Sequence, residues 1–346
     1  MHRVALIPGD GIGPEVVEAA RTVVDATGVA VDWFSCEAGA AAAGKDGDPL
    51  PEVVLDAIRS ADAALKGPIG TPIGKGFTSV NVRLRRALDL YAALRPVRSL
   101  PGVASRYRNV DLVVVRENTE GLYSGIENMV VPGVVEGLKV FTERACLRIA
   151  EFAFDYAHAA GRRKVTAAHK ATVMALTDGL FLNCAQQVAR RFPQIDYEEM
   201  IIDNLCMEVV LDPSRFDVIL LENLYGDIVS DLTAGLVGGL GVVPGANIGA
   251  ELAVYEAVHG SAPDLAGKGV ANPTAVILSA ALMLERLGEA GAAHRIRSAI
   301  ETVLGAGKVR TRDLGGSAST LEYVDALVGA IPAPLFGGAP SRPTGA

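Results

Sequence analysis

Apolar and polar positions in this chain follow two periods. A short apolar run at 4–7 reads as a buried strand, and the largely apolar segments 111–115, 165–168 and 218–221 are strand-like. Residues 15–27 instead place Val16, Ala20, Val23 and Val24 on one helical stripe, with Pro14 ahead of it and Gly28 just past its end. Residues 145–160 and 275–287 are helix-like in the same way. Strands alternating with helices predict an α/β architecture whose sheets are covered on their faces. In 79–91, Val80, Leu84, Leu88 and Tyr91 recur at i, i+4, i+8 and i+11, which predicts a further helix with Ser79 as N-cap. No internal repeat is apparent. Residues 333–346 hold so many prolines and glycines that they are expected to be disordered.

Composition narrows the function classes. The chain has 346 residues, 50% hydrophobic and 21% charged, enough for about two domains at roughly 150 residues each. Its four cysteines (Cys36, Cys146, Cys184, Cys206) lack CxxC spacing and read as reduced, buried thiols. A formal net charge of −8 argues against a nucleic-acid partner. The most apolar stretch, 275–284, stops at Glu285 and Arg286, short of the roughly 20 residues a membrane span needs. The first residues show no secretory or transit pattern, so a cytoplasmic location is expected.

Gly9, Gly11 and Gly13 invite a dinucleotide-fingerprint reading, but the third glycine of that motif would fall at Pro14. A glycine turn joining a strand to a helix is the plainer reading. Asn81 and Arg85, four apart, share a helical face beside the apolar stripe. Arg95 precedes Pro96, and Arg116 closes an apolar strand, where a guanidinium is costly unless an anion meets it. Three such arginines predict a substrate with several carboxylates, because guanidinium forks bind carboxylates bidentately. Asp227 and Asp231 stand at i, i+4 after the strand 217–221 and repel unless a cation sits between them. With Asp203 at the end of another apolar segment, this oxygen-only set points to Mg²⁺ or Mn²⁺. Lys170, closing a strand, is a candidate proton carrier, and Tyr123 follows the segment 116–121. His169 is better read as a satisfied core histidine. The loop 259–273 is dense in small residues whose peptide N–H groups suit a pyrophosphate, and Asp264 suits a ribose hydroxyl.

Together these segments resemble the isocitrate/isopropylmalate dehydrogenase family. The resemblance is carried by PGDGIGPEV at 8–16, the LDLYAALRP helix end, VVRENTEGLYSGIE at 114–127, AHK at 168–170, NLYGDIVSDLTAGLVGGLG at 223–241 and HGSAPDLAGKGVANPTA at 259–275. It implies a two-domain, non-Rossmann α/β fold with open mixed sheets flanked by helices. The large cofactor domain would comprise 1–98 and 250–332, and the small domain, carrying dimerisation and metal binding, 99–249. It implies a homodimer with shared active sites, and NAD with Mg²⁺ or Mn²⁺. By position, Ser79, Asn81, Arg85, Arg95 and Arg116 would bind a tricarboxylate substrate, and Tyr123 and Lys170 would be the acid/base pair. Asp203, Asp227 and Asp231 would hold the metal, with Lys170 and Asp203 serving the neighbouring subunit. Thr71, Glu256, His259, Gly260, Ser261, Ala262, Asp264, Leu265 and Asn272 would line the cofactor site. The polar Ser79 and Asn81 favour isocitrate over homoisocitrate and 3-isopropylmalate, and Asp264-Leu265 favours NAD over NADP. A non-catalytic regulatory subunit of a heteromeric isocitrate dehydrogenase is the competing class. Glu222, just before Asn223, departs from the expected pattern.

Overall fold

The computed structural model describes residues 1–70 and 79–332, so Thr71 and the tail expected to be disordered lie outside the described residues. Ten strands form one continuous mixed sheet. At one end His2–Ile7 runs parallel between Val31–Ser35 and Ala63–Lys66, and Ala63–Lys66 runs parallel to Ala253–Ala257. Three antiparallel pairings follow, from Ala253–Ala257 through Pro244–Ile248 and Ala92–Arg98 to Asp111–Glu117. Parallel pairing then resumes through Val218–Leu221, Lys164–His169 and Asp196–Ile201. The four expected strands are all present. Leu112 to Val115 are wholly buried, as unbroken apolar runs in a doubly covered sheet must be. Each such side chain contributes on the order of 1.5–3 kcal/mol.

The helix read from residue 15 spans Gly13–Asp25 with Pro14 in its first turn, where a missing N–H costs nothing. The helix read at 145–160 is Glu143–Ala159, capped by Thr142 Oγ1 accepting from Ala145 N at 3.2 Å. The expected helix 79–91 is shorter than its stripe: it is Val80–Ala87 with Ser79 at the N-cap position. Asp89 turns to φ 44° and Leu90 N returns to Arg85 O at 2.8 Å, so Leu88 and Tyr91 pack from the turn that follows. The periodicity continued by coincidence through a left-handed residue that ends any helix.

One element stands outside the sheet. Gly121–Val131 and Val134–Val140 form a two-stranded hairpin that leaves Met129, Val130, Val131 and Val135 more than half exposed. An isolated hairpin of this kind is marginal in water.

Candidate active site

A cavity of about 180 Å³ opens over the middle of the sheet, and Asn81, Arg85, Arg95, Arg116, Asp227 and Asp231 all line it. Arg95 comes from the middle strand Ala92–Arg98 and is 3% exposed. Among the described residues its NH1 is buried with no hydrogen-bond partner, as are Asn81 Oδ1 and Arg85 Nε. Burial draws the Arg95 pKa down to about 10 despite the nearby Glu256 carboxylate. Glycine makes room for this side chain: a Cβ on Gly245 would lie 1.7 Å from Arg95 NH1. Gly245→Ala is therefore expected to push the guanidinium aside and raise the KM for substrate at least tenfold in a folded protein. An unchanged KM would show that Arg95 does not face the substrate.

Arg116 ends its strand as expected and is already engaged. Its Nε and NH2 donate to Asn223 Oδ1 at 3.1 and 2.7 Å, and NH1 pairs with Asp227 Oδ1. Tyr123 donates its hydroxyl proton to Asp227 Oδ2, and the Arg116 guanidinium lies 5.0 Å from the tyrosine ring centre. Burial, reinforced by Asp227, raises the Tyr123 pKa. Asp231, one turn beyond Asp227 in the helix Asn223–Leu236, has its carboxyl pushed up by burial and by the Asp227 charge. A repelling pair of oxygen donors facing the cavity fits a divalent cation. The third expected ligand is elsewhere. Asp203, in the first turn of Ile202–Leu211, pairs with Lys170 Nζ at 2.6 Å, which holds its carboxyl below the usual range. Among the described residues no three His, Cys, Asp or Glu side chains stand together as a metal site within this chain. The chain thus builds two clusters, one of Tyr123, Arg116, Asp227 and Asp231, the other of Lys170 and Asp203.

Beside the cavity Glu256 is 5% exposed and meets Lys66 Nζ, Arg85 NH2 at 3.2 Å and Asn247 Nδ2 at 2.6 Å. Burial alone would raise its carboxyl, but Lys66, Arg85 and Arg95 together hold it well below the ordinary range. Sequence reading missed Lys66, although a lysine ending the apolar strand Ala63–Lys66 is the same signal that marked Arg116. It also missed Asn223 and Asn247, which carry no such signal.

The small-residue loop lies against the N-terminal glycine turn, with Ile12 N donating to Ser261 O at 2.9 Å. His259 is held by Gly260 O through Nδ1 at 3.1 Å, while its buried Nε2 lacks a partner among the described residues. Burial lowers the pKa of this ring. Ala262, at φ 37°, accepts from Leu265 N, and Asp264 stays exposed. An unpartnered imidazole nitrogen beside exposed peptide groups fits a polar cofactor. The Asn272 amide is instead spent inside the chain: it donates to Asp313 at 2.8 Å and accepts from Thr274 Oγ1 at 2.6 Å. Its side chain thus ties the end of the loop to Asp313 and Thr274. His169 is satisfied as expected, accepting Ala171 N at 3.1 Å. Glu222 now has an account: its carboxylate caps Asn223–Leu236, accepting Leu224 N at 2.9 Å and Tyr225 N at 3.3 Å.

Comparison with known proteins shows the family. Residues 3–327 match the sequence family described as isocitrate/isopropylmalate dehydrogenase. The chain is 52% identical over 323 residues to the mitochondrial isocitrate dehydrogenase (NAD) catalytic subunit 5 of Arabidopsis thaliana, covering 93% of this chain and 86% of the relative. It is 51% identical over 308 residues to the chloroplastic 3-isopropylmalate dehydrogenase of Solanum tuberosum, covering 89% and 86%. Other relatives are named as regulatory subunits of the NAD isocitrate dehydrogenase. The crystal structure of isocitrate dehydrogenase from Methylococcus capsulatus superposes with a TM-score of 0.93 at 49% identity, covering 96% of this chain and 99% of that one. The expected cytoplasmic location is overturned, because the isocitrate dehydrogenase relatives are named as mitochondrial. That expectation rested on the pattern of the first residues, from which no location follows. No helix among the described residues is long and apolar enough to cross a membrane. From 3 to 327, in sequence and in fold, the chain belongs to the isocitrate/isopropylmalate dehydrogenase family.

Proposed function

We propose that this chain catalyses the NAD-linked oxidative decarboxylation of isocitrate to 2-oxoglutarate and CO₂. The observation that carries this is the set of buried, unpartnered polar atoms on Asn81, Arg85 and Arg95 around one cavity. Buried guanidinium nitrogens without partners are costly, and a polycarboxylate relieves them. Bound Mg²⁺ or Mn²⁺ at Asp227 and Asp231 would supply Lewis-acid polarisation of substrate oxygens, and NAD on the 259–265 loop would supply the hydride acceptor.

Arg85, Arg95 and Arg116 orient the carboxylates, so that the hydroxyl-bearing carbon faces the loop. Tyr123, whose pKa is raised by burial, keeps its proton at neutral pH and serves as the acid that reprotonates carbon after CO₂ leaves. Lys170 and Asp203 lie apart from that cavity in their own chain, and in this reading they serve the cavity of a second copy in a homodimer. The exposed apolar hairpin gives that dimer a surface to bury. The two halves of the sheet, 1–98 with 250–332 and 99–249, would act as two domains meeting at the cavity. Ser79 and Asn81 favour a third carboxylate over an isopropyl group, and the exposed Asp264 repels a ribose 2′-phosphate.

The test is turnover by the purified chain alone. With Mg²⁺ and NAD, kcat/KM should be highest for isocitrate, lower for homoisocitrate and lowest for 3-isopropylmalate, and at least tenfold lower with NADP. Preference for 3-isopropylmalate would overturn the substrate assignment, and no turnover of any of them would favour the regulatory-subunit reading. Asp231→Asn is expected to raise the Mg²⁺ concentration for half-maximal activity at least tenfold while leaving the apo fold no less stable, since it removes repulsion there. Unchanged metal dependence would remove Asp231 from the metal site.

A further inference from the structure

Between the two clusters runs a chain of buried charge that the proposed reaction does not use. Lys139, on the hairpin strand Val134–Val140, has a side chain 9% exposed and pairs with Asp178 Oδ1 at 2.6 Å and Glu222 Oε1 at 3.6 Å. The rings of Phe141 and Tyr225 flank its ammonium at 4.7 and 4.6 Å. Asp178 is 1% exposed, and its other oxygen accepts Lys170 N at 2.7 Å. Lys170 O in turn accepts Val173 N and Met174 N, both at 2.9 Å, so the backbone around this lysine is fixed while its side chain reaches outward to Asp203. At the other end Glu222 caps the helix that carries Asp227 and Asp231.

An ion triad is a poor way to fill a core: apolar residues of similar volume are often as stabilising or more so. What a triad does supply is fixed geometry, because each member constrains the direction of the next. We propose that Asp178, Lys139 and Glu222 are positioning residues, a buried link that holds the Lys170 backbone and the start of the Asp227/Asp231 helix in one register. This rests on the reading of Lys170, Asp227 and Asp231 as machinery of the isocitrate reaction. The link also explains why a charged residue stands at 222, where the family pattern led us to expect a less charged one.

The experiment compares Asp178→Ala, Asp178→Asn and Lys139→Met in the full chain, using steady-state kinetics and amide hydrogen exchange. Arg191→Ala, which breaks the surface pair with Glu151 and the guanidinium's contact with the Phe192 ring, away from this link, is the control. Asp178→Ala should lower kcat at least tenfold with KM for isocitrate and NAD within threefold, and should speed exchange at 168–174 at least tenfold. Asp178→Asn keeps an oxygen for Lys170 N and should restore protection of that segment. Lys139→Met should speed exchange both at 168–174 and at 222–226. If Asp178→Ala fails to fold, Lys139→Met carries the expected acceleration at 168–174, and Asp178→Asn the expected protection there. Unchanged exchange at 168–174 in Lys139→Met, or acceleration spread evenly over the chain, would overturn the proposal. Selective acceleration in a chain that turns over no isocitrate would uphold the link and refute the functional reading instead.

Discussion

Arg116→Ala is expected to lower kcat/KM for isocitrate by a factor of about a hundred to a thousand, with the protein still folded. The side chain is 3% exposed and serves three partners: two nitrogens on Asn223 Oδ1, one on Asp227 and a face towards the Tyr123 ring. Arg116 is buried although Asp227 is half-buried; truncating a buried, hydrogen-bonded charge costs about 2–5 kcal/mol, and each 1.4 kcal/mol is tenfold. The loss should fall on both constants. Substrate loses a carboxylate clamp, and Asp227, deprived of its guanidinium, competes more strongly for the Tyr123 proton. Arg116→Lys should recover little, since an ammonium offers no fork that reaches Asn223 and Asp227 together. Steady-state kinetics decide the matter; a lysine variant with wild-type constants would show that Arg116 contributes only charge.

The largest stability effect is expected at Glu256. Glu256→Gln keeps the volume but leaves Lys66, Arg85 and Arg95 facing one another without an anion. Breaking a buried pair in this way costs about 3–5 kcal/mol, readable as a fall in urea-unfolding free energy at pH 7. The pH dependence has a definite sign. Glu256 is held well below the ordinary carboxylate range by its cations, against the upward push of burial. Its contribution is therefore complete above the unfolded carboxylate pKa of about 4.3 and is lost as pH falls towards the depressed folded value. The gap between wild type and variant should be widest near pH 7 and should narrow below about pH 4. A gap that widens in acid would mean that Glu256 is not the anion holding this cluster.

How far these features were legible in the sequence depended on their range. Unbroken apolar strands were readable because burial on both faces leaves no alternation to confuse. The join of the two halves into one sheet was not, since it depends on pairings such as Ala246 with Leu94, far apart in the chain. Arg116 and the Asp227/Asp231 pair were readable from local spacing and from the cost of a charge at a strand end. Lys66 gave the same signal and was passed over. Asp203 could be flagged as an acid but not located, because its partner Lys170 lies 33 residues away in sequence. The early end of the helix at Ala87 turned on one residue, Asp89, whose left-handed backbone no periodicity announces.

In this reading Arg95 NH1, buried and unpartnered among the described residues, and its neighbours are built for a metal-associated tricarboxylate. Calorimetric titration of the purified chain with isocitrate, in the presence and absence of Mn²⁺, tests it without cofactor or turnover. Saturable binding is expected that requires Mn²⁺ and weakens at least tenfold in Arg95→Met. Binding unaffected by the metal and by Arg95→Met, or no binding at all, would contradict it.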